Sequence, residues 1–301
     1  MHDQQKPFLS KLQDLSRSRS PHRTFSDWLE IAALSLHQLP YHVGDLEKDA
    51  AFEQLEQCYM ERIQPYSRDE LNVFAELLRL TTIAHHTGYG DFLGEIAGEA
   101  ELLNAKGGQF FTPYHLCRAM AKMSLGDVKA QVEAKGFLTV CEPACGAGAL
   151  VIASAEEMVA QGVDPRAYVQ FDCTDISRDA FNMTYIQLSA QNLQAVVHHG
   201  NTLSQEYWEH RPTPQLRLFR QWLKRQQRTE RMVEAVRSLF EEATPSKDYG
   251  LTSVLEPSEQ KIAASQALFD VDRFTGEIQA RKPADSQPDI VLDRQMSLFD
   301  S

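Results

Sequence analysis

Long apolar runs are missing from this sequence. No stretch approaches the roughly 20 consecutive apolar residues a bilayer-crossing helix needs. The opening Met-His-Asp-Gln-Gln-Lys-Pro has no apolar core of the kind a secretory signal requires. A membrane protein is excluded, and the chain is expected in the cytoplasm. Cysteine is also scarce. Cys58, Cys117, Cys141, Cys145 and Cys173 include no Cys-x-x-Cys pair and no second pair to complete a zinc tetrahedron. They read as reduced thiols, which excludes a disulfide scaffold. His85-His86 and His198-His199 lack carboxylate or cysteine partners at metal spacing, so no metal site is expected. Positive charge is in deficit: 30 Lys+Arg against 42 Asp+Glu give a net charge of −12. That excludes coating nucleic acid through bulk charge, although a sum conceals local segregation. Between Arg211 and Arg237 stand eight basic residues and two acidic ones, so any nucleic-acid contact is expected there.

What is present suits a globular protein. The 301 residues, 43% hydrophobic and 24% charged, allow about two domains with packed cores. No internal repeat is visible. Residues 1–106 read as an α-helical domain. Phe25, Trp28, Leu29, Ala32 and Leu36 recur at helical steps, as do Leu71, Phe74, Leu77, Leu78 and Thr81. Asp69 is placed to cap the second helix, and Pro65 marks the end of the one before it. A third helix is expected over Asp91 to Asn104. Residues 107–205 read as an α/β domain. A helix over Pro113 to Ser124 precedes a strand at Phe137 to Cys141, a helix at Gly148 to Gln161, a strand at Tyr168 to Thr174, a helix at Asp179 to Asn192 and a strand at Ala195 to His198. That alternation is half of a doubly wound sheet. Residues 206–243 read as a basic helical segment with turns at Pro212 and Pro214. Residues 244–301, polar and aperiodic, read as a largely unstructured tail.

The chemistry concentrates where the first strand meets its helix. Glu142-Pro143-Ala144-Cys145-Gly146-Ala147-Gly148 gives a glycine loop at a strand's carboxyl end, where open α/β sheets bind cofactors. A tight turn alone would also use these glycines. Asp175 closes the second strand, placed either to accept from both ribose hydroxyls or to cap the next helix; capping is the preferred reading for Asp179. Gly200-Asn201 ends the third strand, offering an amide to an adenine edge or serving as a turn pair. Upstream, Gly107-Gly-Gln-Phe-Phe-Thr-Pro-Tyr114 makes a helix start that either binds a carboxylate through Thr112 or uses Thr112 as a plain cap.

Taken in order, these four elements resemble adenine-N6 DNA methyltransferases, particularly the modification subunits of type I restriction systems. The resemblance covers about Asp91 to Leu203, roughly a third of the chain. It implies an α/β, S-adenosylmethionine-dependent methyltransferase (Rossmann-like) sheet preceded by a helical domain, in a bacterial or mobile-element protein that acts on DNA. It further implies that Thr112 binds the amino-acid end of S-adenosylmethionine, that Glu142, Pro143, Gly146 and Gly148 surround it, that Asp175 holds the ribose and that Asn201 sits near the adenine.

The sequence departs from that family at Glu142 and Asn201, where Asp is usual. A larger departure is the catalytic motif, Asp or Asn followed by Pro-Pro and an aromatic, whose residues hold and stack the flipped adenine. It does not occur: Pro40-Tyr41, Pro65-Tyr66 and Pro113-Tyr114 lack the tandem proline. No catalytic residue is assigned, and the sheet is expected to be incomplete. Three readings stay open: an active methyltransferase, a silent cofactor- and DNA-binding accessory protein, and one half of a split enzyme completed by another subunit. Arg217, Arg220, Lys224, Arg228 and Arg231 form a stripe that either tracks DNA phosphates or is a solvated face. Near the end, Gln295-Met-Ser-Leu-Phe299 is similar to the peptide by which bacterial replication and repair proteins bind the sliding clamp, with Gln295, Leu298 and Phe299 as its contacts.

Overall fold

A computed structural model describes residues 3–17, 19–102 and 111–243. Residues 244–301, including Gln295, Leu298 and Phe299, lie outside the described residues, as do Gly107, Gly108, Gln109 and Phe110. Five helices come first: α1 (Gln5–Leu15), α2 (Pro21–His42), α3 (Ala50–Ile63), α4 (Arg68–Thr87) and α5 (Phe92–Glu99). Their apolar stripes meet as the spacing predicts. Phe8 packs edge-on against Trp28 at 5.1 Å and against Phe92 at 5.6 Å, and the buried Trp28 indole donates to the Phe74 carbonyl.

Next come α6 (Tyr114–Leu125), α7 (Val128–Lys135), β1 (Leu138–Glu142), α8 (Ala149–Ala160), α9 (Pro165–Tyr168), β2 (Val169–Asp175), α10 (Arg178–Ala190), β3 (Ala195–Asn201), β4 (Glu206–Pro212) and α11 (Pro214–Ala243). The sheet runs β1-β2-β3-β4; β1, β2 and β3 are parallel, and β4 returns antiparallel to β3. Every residue of α10 from Ala180 to Ala190 is buried, because the helix lies between β2 and β3 on one side and α2, α4 and α5 on the other. One apolar core therefore continues from Phe8 and Trp28 through Phe181 and Ile186 to Phe171 and Val197.

Several local expectations are corrected. Residues 206–212 form a strand rather than the start of a helix. In β4, Glu209 and Arg211 turn toward α10, where Arg211 donates to Asn182 and both join an ion network with Arg178 and Glu30. Partners distant in sequence override local helical preference there. The β3–β4 approach is so close that a Cβ on Gly200 would stand 2.5 Å from the Glu206 carbonyl oxygen, beside a bulge at His199/Gly200. Ser67, not Asp69, caps α4, in a reciprocal capping box with Glu70. Ser177, not Asp179, caps α10, and Asp179 instead accepts from the Ser26 hydroxyl at 2.6 Å. Pro113, not Thr112, occupies the cap position of α6. The third helix stops at Glu99 because Glu101 takes a positive φ of 53° and Leu102 N–H turns back to the Ala97 carbonyl.

Candidate cofactor site

The glycine loop leaves the carboxyl end of β1 and enters α8 at Gly148. Gly146 has φ of +56° and Gly148 of +96°, conformations that side-chain-bearing residues rarely adopt. At Gly146 space is short as well: a Cβ would stand 3.1 Å from the Phe111 ring. That contact brings the Phe111-Thr112-Pro113 segment onto the loop. Thr112 is exposed, and among the described residues its carbonyl accepts from the Cys117 thiol.

Asp175 ties the loop to the neighbouring strand. One carboxylate oxygen accepts Gly146 N–H and the other accepts Ser177 N–H, each at 2.8 Å. Burial raises its pKa, against the pull of these backbone hydrogen bonds and of His199. Asp175 is therefore not the cap of α10, which is Ser177; it sits at the end of β2 facing the glycine loop and links that loop to the turn before α10. Each oxygen keeps a second lone pair for a ligand hydroxyl. Glu142 uses one oxygen on Ala144 N–H, at 3.2 Å. Asn201 accepts Leu203 N–H and Ser204 N–H through its side-chain oxygen, a turn cap, and its amide nitrogen has no partner among the described residues. Thr202 donates to the Pro143 carbonyl at 2.6 Å, so the end of β3 is pinned to the glycine loop. The structure therefore brings together Glu142, Pro143, Gly146, Gly148, Asp175 and Asn201.

Two residues that hold this loop were not singled out in the sequence. Thr184 donates to the Gly146 carbonyl at 2.8 Å. Gln187 donates to the Ala147 carbonyl at 2.6 Å and to Asp91 at 2.8 Å, and its oxygen accepts Leu93 N–H at 3.0 Å. Both lie on one face of α10, three residues apart. A signal existed: polar side chains inside a fully buried helix must bond to something, and here they bond the loop backbone.

The basic stripe divides. Arg217 turns inward, donating to the His37 carbonyl and the Tyr41 hydroxyl, and Arg220 is partly buried, with burial lowering its pKa against the charge of Asp172. Lys224, Arg228 and Arg231 are exposed. His85 bonds Gln187 and Gln191, and His198 faces Asp172 at 3.4 Å. Among the described residues no group of three or more His, Cys, Asp or Glu is placed to hold a metal ion, and no helix is long and apolar enough to cross a membrane. All five cysteines are free thiols.

The site's chemistry suits a nucleoside carrying an amino acid. Asp175 offers acceptors for vicinal hydroxyls, Glu142 a carboxylate for an ammonium, Thr112 a donor for a carboxylate, and the glycine loop a backbone that a ligand can approach closely. Residues 89–226 match the family model of N-6 DNA methylase. A family of that kind uses S-adenosylmethionine and transfers a methyl group. The chain is also similar to a solved Listeria monocytogenes structure described as a class I S-adenosylmethionine-dependent methyltransferase, at 12% identity and a TM-score of 0.33, covering 67% of this chain and 55% of that one. No curated protein matches the chain.

Proposed function

We propose, from the N-6 DNA methylase match over residues 89–226, that this protein binds S-adenosylmethionine at the ends of β1, β2 and β3 and serves methylation of adenine N6 in DNA. The observation that carries the reading is the joining of Gly146, Asp175, Phe111 and Thr202 into one loop assembly. Bound there, S-adenosylmethionine supplies a methyl group activated on a sulfonium. The chain's own residues hold the donor: Asp175 the ribose hydroxyls, Glu142 the ammonium, Thr112 the carboxylate, and the Asn201 amide an edge of the purine. Lys224, Arg228 and Arg231 meet DNA phosphates from the exposed part of α11.

A second reading, a split enzyme, is favoured by a specific feature. Only β2 pairs with β1 among the described residues, so β1 is a sheet edge, and the sequence contains no Asp/Asn-Pro-Pro-aromatic motif. The groups that orient the adenine amine, on which much of the rate depends, then come from another polypeptide. A paired experiment separates these readings. Calorimetry should show S-adenosylmethionine binding that Gly146→Val abolishes; absence of binding, or binding indifferent to the substitution, sinks both. Tritium transfer from labelled cofactor to unmethylated DNA by the chain alone establishes the complete enzyme, and transfer only after a second polypeptide is added establishes the split one. We extend the proposal to a partner. Deleting Gln295 to Ser301 should abolish sliding-clamp pull-down, and unchanged pull-down removes that partner.

A further inference from the structure

A cleft distinct from the cofactor loop separates α2 and α3 from β4 and the start of α11. It encloses about 550 Å³, within the usual range for small-molecule sites. Its inner wall is charged. Arg178 donates to Glu30 and Glu209, and Arg211 donates to Glu209 and Asn182, so two cations and two carboxylates form a closed set.

Arg217 is not in that set. It donates to the His37 carbonyl at 2.6 Å and the Tyr41 hydroxyl at 2.7 Å and lies over the Tyr41 ring at 4.8 Å; among the described residues no carboxylate forms an ion pair with it. Among the described residues two of the guanidinium's five N–H groups are used. A partly buried cation among neutral partners in an otherwise balanced wall leaves one positive charge uncompensated, and such a charge is costly without an anion. His37 adds no second charge, since burial and then the charges of Arg217 and Arg211 hold its pKa well below the ordinary value. On the α2 and α3 side, Leu34 and Leu55 give the cleft an apolar patch, Glu61 and Arg62 add one charge of each sign and leave the balance unchanged, and the exposed Cys58 also lines it.

We infer that this cleft binds a small organic oxyanion, a carboxylate or phosphate monoester on an apolar body, with the anionic group at Arg217 and the body against Leu34 and Leu55. Guanidinium groups suit both anions through charge-assisted hydrogen bonds. The inference stands apart from methyl transfer.

Cys58 provides the readout. In the full chain carrying Cys141→Ser, which removes the other exposed thiol, the rate of Cys58 alkylation by iodoacetamide is followed with phenyl phosphate or hexanoate at millimolar concentration. Benzyl alcohol and hexanol serve as neutral counterparts, and a duplex oligonucleotide as a polyanion. At least one of the two anions should slow alkylation about tenfold, the protection reached when the ligand stands at roughly ten times its Kd, and the alcohols should not. Arg217→Met should abolish protection. Because that change also removes bonds to α2, Leu55→Glu is the second variant, placing a negative charge in the apolar wall while leaving every arginine in place. Absence of protection by both anions, equal protection by the alcohols, protection by the duplex alone, or protection undiminished in both variants overturns the inference.

Discussion

Gln187 illustrates how much one buried amide can organise. Its side chain joins the glycine loop at Ala147, the cap of α5 at Asp91 and the backbone of Leu93, three places more than 30 residues apart from it in sequence. Asp91 is fully enclosed, and burial raises its pKa. Gln187→Leu keeps the volume but leaves the Ala147 carbonyl and Leu93 N–H without their partner, each at about 1–3 kcal/mol. Urea unfolding should show a loss of about 3 kcal/mol, and calorimetry a weakened affinity for S-adenosylmethionine because the loop carbonyl is released. Undiminished stability would mean that water replaces the amide. Gly146 and Asp175 were visible as motif residues, since a glycine loop and an acid stand at the ends of consecutive strands in the order the resemblance requires. Gln187 was not, because nothing in its neighbours reveals what an amide will meet across the fold.

At the scale of elements, β4 and α10 decide how the helical layer is joined to the sheet. Glu30 on α2 accepts from Arg178 at 2.5 Å and from Asn182 on α10, while Arg178 also meets Glu209 on β4. Burial alone would raise the Glu30 pKa. The Arg178 hydrogen bond and the charges of Arg211 and Arg178 outweigh it and hold the value at about 2. A carboxylate depressed from its ordinary 4.5 contributes stability at pH above the unfolded value and loses it as pH falls through the folded one. Acid titration of stability should therefore show a loss of about 3 kcal/mol between pH of about 5 and about 2, absent in Glu30→Gln. That variant should itself be destabilised at neutral pH by about 3–5 kcal/mol, because Arg178 and Arg211 lose their shared carboxylate. The strand β4 was misread from sequence for the same reason that it exists: its pairing with β3 and its ion network are non-local, and a local pattern carries no trace of either.

At the scale of the whole molecule, charge is segregated. A chain of net −12 keeps a basic run over Arg211 to Arg237, yet Arg211 is paired inside the fold, Arg217 turns to the cleft, and the outward cations include Lys224, Arg228 and Arg231. If those three neutralise phosphates, changing all three to Glu should weaken duplex DNA binding uniformly across sequences and flatten the salt dependence by about three phosphates' worth of slope. An unaltered salt slope would return that face to solvent.

The helices with clear apolar periods, the strand-helix alternation of residues 137–201 and the glycine loop could be read directly, because spacing and residue type act over a few positions. By itself the sequence determined that a glycine loop follows the first strand of an α/β alternation, that the chain is acidic overall, and that the Pro-Pro-aromatic motif is lacking. The tertiary structure alone decided that Asp175 grips Gly146, that Gln187 and Thr184 brace the loop, that β4 turns back as a strand, and that Arg217 faces the cleft with no ion-pair partner among the described residues. Each of these depends on groups brought together from distant parts of the chain, and such contacts exist only once the core has closed.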